Sequence, residues 1–243
     1  MKYLIILLFL NFTYFVFSQD TITTYYDSKW KEVSKENAKY YRIATKGDKK
    51  QWNVKDYFMN GKIQMEGTYQ TKKMDIRIGH FTYYFENGFK SSEGDFLKNK
   101  FNGEWTWYHE NGKVSTKEIY SKDELIDIQC WDENSEKQEE NCKPDIFPEF
   151  IGGNIAYTKF FNENLKFPQV AIDTYTKGIV KVKFAIDKDG TVKEAVVVES
   201  VDPIIEKEAL RVVNLMPKWK PGKSHNRVEK MYCTIPVRFK FEL

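Results

Sequence analysis

Three stretches of this chain repeat one alternation of aromatic, polar and glycine positions. YFMNGKIQMEGTY (57–69), YFENGFKSSEGDF (84–96) and YHENGKVSTKEIY (108–120) align without gaps. Their Asn-Gly pairs begin at Asn60, Asn87 and Asn111, spaced 27 and 24 residues apart, and a worn fourth copy, WDENSEK (131–137), has Ser135 where glycine stood. Asn-Gly between alternating aromatic flanks predicts a hairpin with a type I′ turn, in which both central residues need φ > 0. Gly61, Gly88 and Gly112 are therefore structural positions. NKFNG (99–103) is expected to turn the chain into the next unit, and the worn copy to act as a cap. Units of this length bury their apolar faces by stacking on their neighbours. Residues 20–50, aromatic and charged, would form a strand pair leading in.

The pattern changes after the charged stretch SEKQEENCKPD (135–145). Tyr157, Phe160, Phe161 and Leu165 recur at i, i+3, i+4 and i+8, one face of a helix that ends before Pro168. GIVKVKFAIDKDGTVKEAVVVES (178–200) reads as two strands around a tight turn at DKDG. Asp202 and Pro203 then suit the N-cap and first turn of a second helix, with Ile205, Ala209, Val212, Val213 and Met216 along one stripe and Pro217 as the stop. MYCTIPVRFKF (231–241) alternates: Met231, Cys233, Ile235, Val237, Phe239 and Phe241 on one side, Tyr232, Thr234, Arg238 and Lys240 on the other. The predicted order is α-β-β-α-β, with a three-stranded antiparallel sheet in the order second, first, third strand. That leaves the last strand at an edge, where Pro236 is tolerated and backbone groups stay open to another chain. The fold class is mainly β: a hairpin-repeat sheet (19–137), a linker (138–146) and an α+β C-terminal domain (147–243).

Two resemblances follow from these motifs. The repeats, over roughly 52–137, resemble MORN-like repeats of YwqK-type antitoxin proteins, which implies a β-sheet serving as spacer or docking surface and no chemistry. KFPQVA, GIVKVKFAIDKDGTV, VDP, EALRVV, PKWKPGK and IPVRFKF, in that order from Phe147 to the end, look like the C-terminal domain of TonB. That resemblance implies a periplasmic domain that grips an extended peptide of an outer-membrane transporter by strand addition along the last strand. Tyr232, Thr234, Pro236, Arg238 and Lys240 are then the peptide-binding residues, and the partner is a TonB-dependent transporter. Full-length TonB also keeps an N-terminal membrane helix, which meets inner-membrane motor proteins and drives energy-coupled transport, and a Pro-rich spacer. Here hairpin repeats stand in place of the spacer. In PKWKPGK (217–223), Trp219 is expected to fold back as a plug over the helix–sheet core while its lysines stay in solvent; direct contact with the peptide is the rival reading. A structural or interaction protein of the cell envelope, uncoupled from transport, is the alternative function.

Charge and composition narrow the picture. Lys+Arg 38 against Asp+Glu 35, mixed along the chain, gives no basic stripe and no implied nucleic-acid partner. The N-terminal apolar run after Lys2, of roughly 15 residues, falls short of the ~20 needed to span a bilayer. With Val16 and Ser18 at −3 and −1 it reads as a signal peptide (1–18) for export to the periplasm. An uncleaved inner-membrane anchor is the alternative. Cys130 and Cys142 bracket a polar stretch, and a disulfide there is open either way; Cys233 sits in an apolar pattern. His80, His109 and His225 are scattered without metal-ligand spacing, and no nucleophile or metalloprotease signature occurs. PGKS (221–224) lacks the first glycine of a phosphate loop, and DKDG lacks the end ligands of a calcium loop. No enzyme activity and no cofactor are expected, and nothing indicates an oligomeric state.

Overall fold

The computed structural model describes residues 20–140 and 142–241; the segment read as a signal peptide lies outside them. Ten strands follow one another in chain order within one antiparallel sheet. These are β1 (Thr21–Tyr26), β2 (Tyr40–Lys46), β3 (Trp52–Phe58), β4 (Ile63–Tyr69), β5 (Arg77–Tyr84), β6 (Lys90–Leu97), β7 (Lys100–Tyr108), β8 (Val114–Ser121), β9 (Glu124–Trp131) and β10 (Lys137–Gln138). The leading pair β1–β2 is the one expected from residues 20–50. By contact density the chain divides into two compact units, one holding residues up to 88 with 95–100, the other 89–94 with 101 onward.

The repeat hairpins form, but not with the expected turn. Phe58 N–H donates to Lys62 O and Gly61 N–H to Phe58 O, closing a three-residue loop of Met59, Asn60 and Gly61. Only the glycine has positive φ (84°), as at Gly88 (97°) and Gly112 (82°). This is the type I turn with a glycine bulge rather than type I′. The asparagine stays right-handed because its side chain is engaged in capping the backbone. Asn60 Oδ1 and Asn111 Oδ1 accept the N–H two residues on, at 3.0 Å each. The fourth copy makes the same turn with Ser135 at φ 76°. Type I′ geometry occurs instead in the connections, where Lys98-Asn99 and Lys122-Asp123 all have positive φ. The turn expected at 99–103 therefore has its tip two to three residues earlier, at Lys98-Asn99, and Asn102-Gly103 lies inside β7.

Stacking between repeats depends on glycine. A Cβ at Gly67 would sit 2.3 Å from the Phe81 ring, and one at Gly94 would sit 2.4 Å from Trp105. Each glycine of a second repeat strand thus admits an aromatic ring of the next repeat flat against the backbone. Phe81 is fully buried and Trp105 is 1% exposed.

The second unit also holds the α+β elements: β11 (Asp145–Ile146), β12 (Glu149–Phe150), α1 (Gly153–Asn164), α2 (Gln169–Asp173), β13 (Gly178–Ile186), β14 (Val192–Glu199), α3 (Pro203–Asn214), β15 (Trp219–Lys220), β16 (Lys223–Ser224), β17 (Arg227–Val228) and β18 (Met231–Phe239). The stretch 138–146, read as a linker, thus begins in β10 and ends in β11. Cys130 and Cys142 form a disulfide across its first part. α2 is a short helix the periodicity did not show, started by Pro168 at its N-cap. α3 begins as expected: Asp202 Oδ1 accepts Ile204 N–H at 2.8 Å, with Pro203 in the first turn. Ile205, Ala209, Val212 and Val213 are all fully buried. Burying each large apolar side chain is worth about 1.5–3 kcal/mol. This outweighs the weak helix propensity of a segment holding four β-branched residues.

Candidate functional site

The sheet of the α+β part has the order β14-β13-β18, antiparallel throughout. β18 pairs along its whole length with β13, from Met231↔Ile186 to Phe239↔Gly178. Among the described residues its other side has no strand partner. The period-2 pattern decides which side chains face the core. Val237 and Phe239 are buried with Val180, Val182 and Phe184, and Cys233 and Ile235 are half-buried against the same cluster. Burial pushes the Cys233 thiol up, which keeps it a neutral packing group.

Tyr232, Thr234, Pro236, Arg238 and Lys240 fall on the opposite parity. Tyr232 donates its hydroxyl to Glu194 Oε2 at 2.7 Å across the sheet, and Lys183 Nζ stands 4.8 Å over its ring. The Lys230 ammonium, then the Tyr232 hydroxyl, hold the Glu194 carboxyl below its ordinary range. Pro236, Arg238 and Lys240 border an open groove of about 930 Å³ whose far wall includes Phe161, Leu165 and Phe167. The groove joins an unpaired strand edge to apolar pockets and two cationic side chains.

Trp219 lies in the core cluster, 8% exposed. Its two-residue strand β15 pairs with β12, Trp219 opposite Phe150, and the Trp219 backbone N–H donates to Gly190 O at 2.9 Å. Its ring meets Phe150 at 5.3 Å, Phe184 at 5.7 Å and Tyr157 at 6.5 Å, all edge-on. Lys218 and Lys220 are exposed, and Lys218 pairs with Asp189 at 3.0 Å. The DKDG turn closes through Gly190 N–H to Asp187 O. Among the described residues no cluster of three metal-ligating side chains occurs, and no helix is long and apolar enough to cross a membrane.

Sequence reasoning missed a second constellation, within the unit that holds β7–β10 and the α+β elements. His225 and Asn226, both at positive φ, form the two-residue tip of the β16–β17 hairpin. His225 stacks on Trp107 at 3.8 Å with 8° between the rings, and its Nδ1 is 2.8 Å from Glu118 Oε1. Glu118 is fully buried; Thr116 and Tyr120 also donate hydroxyls to its carboxylate. Burial and that hydrogen bond push the Tyr120 phenol up. Asn226 Nδ2 donates to Trp131 O at 2.8 Å, and the Arg227 guanidinium to Ser91 O at 3.1 Å. Lys188 of the DKDG turn reaches Glu110 at 2.7 Å. The signal was present in the aligned repeats: Glu118 stands where the first two have Gly67 and Gly94. His225, read as an isolated histidine, is the partner of that departure.

Residues 163–242 match the family model described as Gram-negative bacterial TonB protein C-terminal. The match runs from the end of α1 through all of β18. Domains of this family belong to cell-envelope proteins and interact with outer-membrane transporters. No curated protein matches the chain. Among solved structures, the NMR solution structure of Helicobacter pylori TonB-CTD is similar at 23% identity, covering 39% of this chain and 82% of that one, with a TM-score of 0.30.

Proposed function

We propose that this chain is an exported, TonB-like envelope protein that captures an extended peptide of an outer-membrane transporter by strand addition to β18. The observation that carries this reading is the unpaired edge of β18 beside the groove that Pro236, Arg238 and Lys240 share with α1. Strand addition takes its affinity from main-chain hydrogen bonds and its selectivity from side-chain pockets. In an antiparallel pair each residue points both backbone groups to the same side. Pro236 is accommodated without loss of a ladder bond if its position faces outward. Thr234 and Arg238 share its parity and would offer outward N–H groups, with one rung missing at Pro236. Arg238 and Lys240 form no ion pair among the described residues and would meet a peptide carboxylate. In this reading Trp219 is a structural plug, the MORN-like repeats are spacer or docking surface, and residues 1–18 direct export. Coupling to an inner-membrane motor would require those residues to persist as an anchor.

The test is a second proline in the edge. Thr234→Pro or Arg238→Pro should abolish binding of a synthetic transporter peptide while the melting temperature stays near wild type. Slow amide hydrogen exchange throughout β18 in the peptide-free monomer would sink the proposal, because it would mean the edge is already occupied. The lock of the β16–β17 tip onto Glu118 and Trp107 favours a second reading, a structural envelope protein in which the α+β part caps the repeats. Unimpaired envelope integrity in a strain lacking the chain, together with lost transporter uptake, would exclude it.

A further inference from the structure

The repeat sheet ends at β10 and the α+β elements begin at β11, so a single stretch of backbone joins the two. The Cys130–Cys142 disulfide spans that stretch, with a sequence separation of 12. Each cysteine lies beside one half of the contact made by the β16–β17 tip. On the sheet side, Cys130 stands opposite Thr116, which donates to Glu118, and the next carbonyl, Trp131 O, accepts from Asn226 Nδ2. On the tip side, Pro144 O accepts the His225 N–H and Asp145 Oδ1 accepts the Ser224 hydroxyl. β11 adds a two-residue pairing with β16. The S–S bond therefore joins the wall of the His225 socket to the segment that carries the tip.

The bond also sets the length of the tether. With the bridge closed, the path from Cys130 to Pro144 crosses the disulfide and a few backbone atoms. With it open, the path follows the whole backbone loop and is roughly five times longer. Loop-closure entropy grows as (3/2)RT ln n, so this lengthening lowers the tip's effective concentration at its socket about tenfold. The non-covalent contacts must then hold unaided. They are the His225 ring on Trp107, its hydrogen bond to Glu118, the Ser115 hydroxyl on His225 O, and the exposed Lys188–Glu110 pair.

We propose that this disulfide is a redox-sensitive latch, opened by a dithiol reductant, on the docking of the α+β part against the last repeat. The attacking thiolate takes the half-buried Cys142, because Cys130 is fully buried. A sulfur–sulfur bond forms between the reductant and Cys142 as the Cys130–Cys142 bond breaks, and Cys130 leaves as a thiolate that takes up a proton. The second thiol of the reductant then displaces Cys142, which is protonated in turn. Two electrons have passed to the protein and the dithiol has become a disulfide. β17 runs into β18 after two residues, so the strand edge is freed together with the tip. The opened tether extends to roughly 40 Å, a reach the closed bridge denies.

The three histidines read this latch in the full chain, through carbethoxylation by diethyl pyrocarbonate mapped by mass spectrometry. His80 is exposed and serves as the reference, His109 is buried in the third repeat and reports opening of the sheet, and His225 reports docking. Dithiothreitol at neutral pH should reduce the bridge while the protein stays folded. After blocking with iodoacetamide, His225 should react about tenfold faster relative to His80, the loss expected from the longer tether, with His109 unchanged. Cys142→Ser should give the same rise without reductant; should it fail to fold, the reduced wild type decides. A bridge absent from the purified protein, or one reduced only in urea, would overturn the proposal. So would an unchanged His225 rate after reduction. An equal rise at His109 and His225 would overturn it too, because the bond would then be a general stabilising cross-link.

Discussion

The internal repeats and the terminal one use the same sheet position in opposite ways. Gly67 and Gly94 vanish beneath Phe81 and Trp105, so each repeat is completed by the ring of the next. The third repeat has no such ring to receive. Its aligned position carries Glu118, fully buried and held by Thr116, Tyr120 and His225. At the other limit of the repeats, Asp56 of the first unit is 1% exposed and meets Arg42 from the lead-in strand β2. Where a repeat meets its own kind it uses glycine and aromatics; where it meets a different element it buries a carboxylate with one dedicated partner. Packing between identical units is satisfied by shape alone. A boundary needs a contact that only one partner can make, and a buried carboxylate without its partner is expensive.

The contrast is broken most severely by giving an internal repeat the terminal residue. Gly94→Glu drives a side chain into Trp105 and buries a charge without a partner, and it should cost about 3–5 kcal/mol or prevent folding. Urea unfolding measures it. A loss below about 1 kcal/mol would show that the glycine is not needed for ring stacking.

Removing the dedicated partner comes next. His225→Ala leaves Glu118 with two hydroxyl donors and takes the stacked ring from Trp107, for an expected loss of about 2–4 kcal/mol. His225→Ala combined with Glu118→Leu should recover part of it, since the uncompensated carboxylate is gone. Strict additivity of the two substitutions would mean that the residues do not act as a pair.

The smallest effects are at the turns, which both kinds of repeat share. Gly88→Val places a β-branched residue at φ 97° and should cost about 1–3 kcal/mol. Ser135→Gly relieves the same strain in the fourth copy and should be neutral or raise the melting temperature slightly. Equal midpoints for wild type and Gly88→Val would remove the case for a left-handed glycine in the turn.

Much of the α+β part was legible because its signals are local. Asp202-Pro203 announces a helix start by capping chemistry, and the alternation in 231–239 sets the two faces of β18 by the pleat alone. The 2-1-3 strand order followed from a hairpin and a helical crossover. The turn type was misjudged because Asn-Gly serves both type I′ turns and bulged type I turns. The choice rests on whether the asparagine side chain caps the next strand, which depends on the register of both strands. The short strands β11, β12, β15, β16 and β17 left no pattern, since two residues cannot show a period.

The sequence by itself determined the repeats, the two longer helices α1 and α3, and the core-facing side and edge position of β18, because periodicity and capping act within a few residues. Only the tertiary structure decided what the exceptions mean. Glu118 in a glycine column and His225 among scattered histidines acquire their roles from each other, far apart along the chain. Burial makes an unpaired polar atom costly, and whether it is paired is a property of the folded neighbourhood alone.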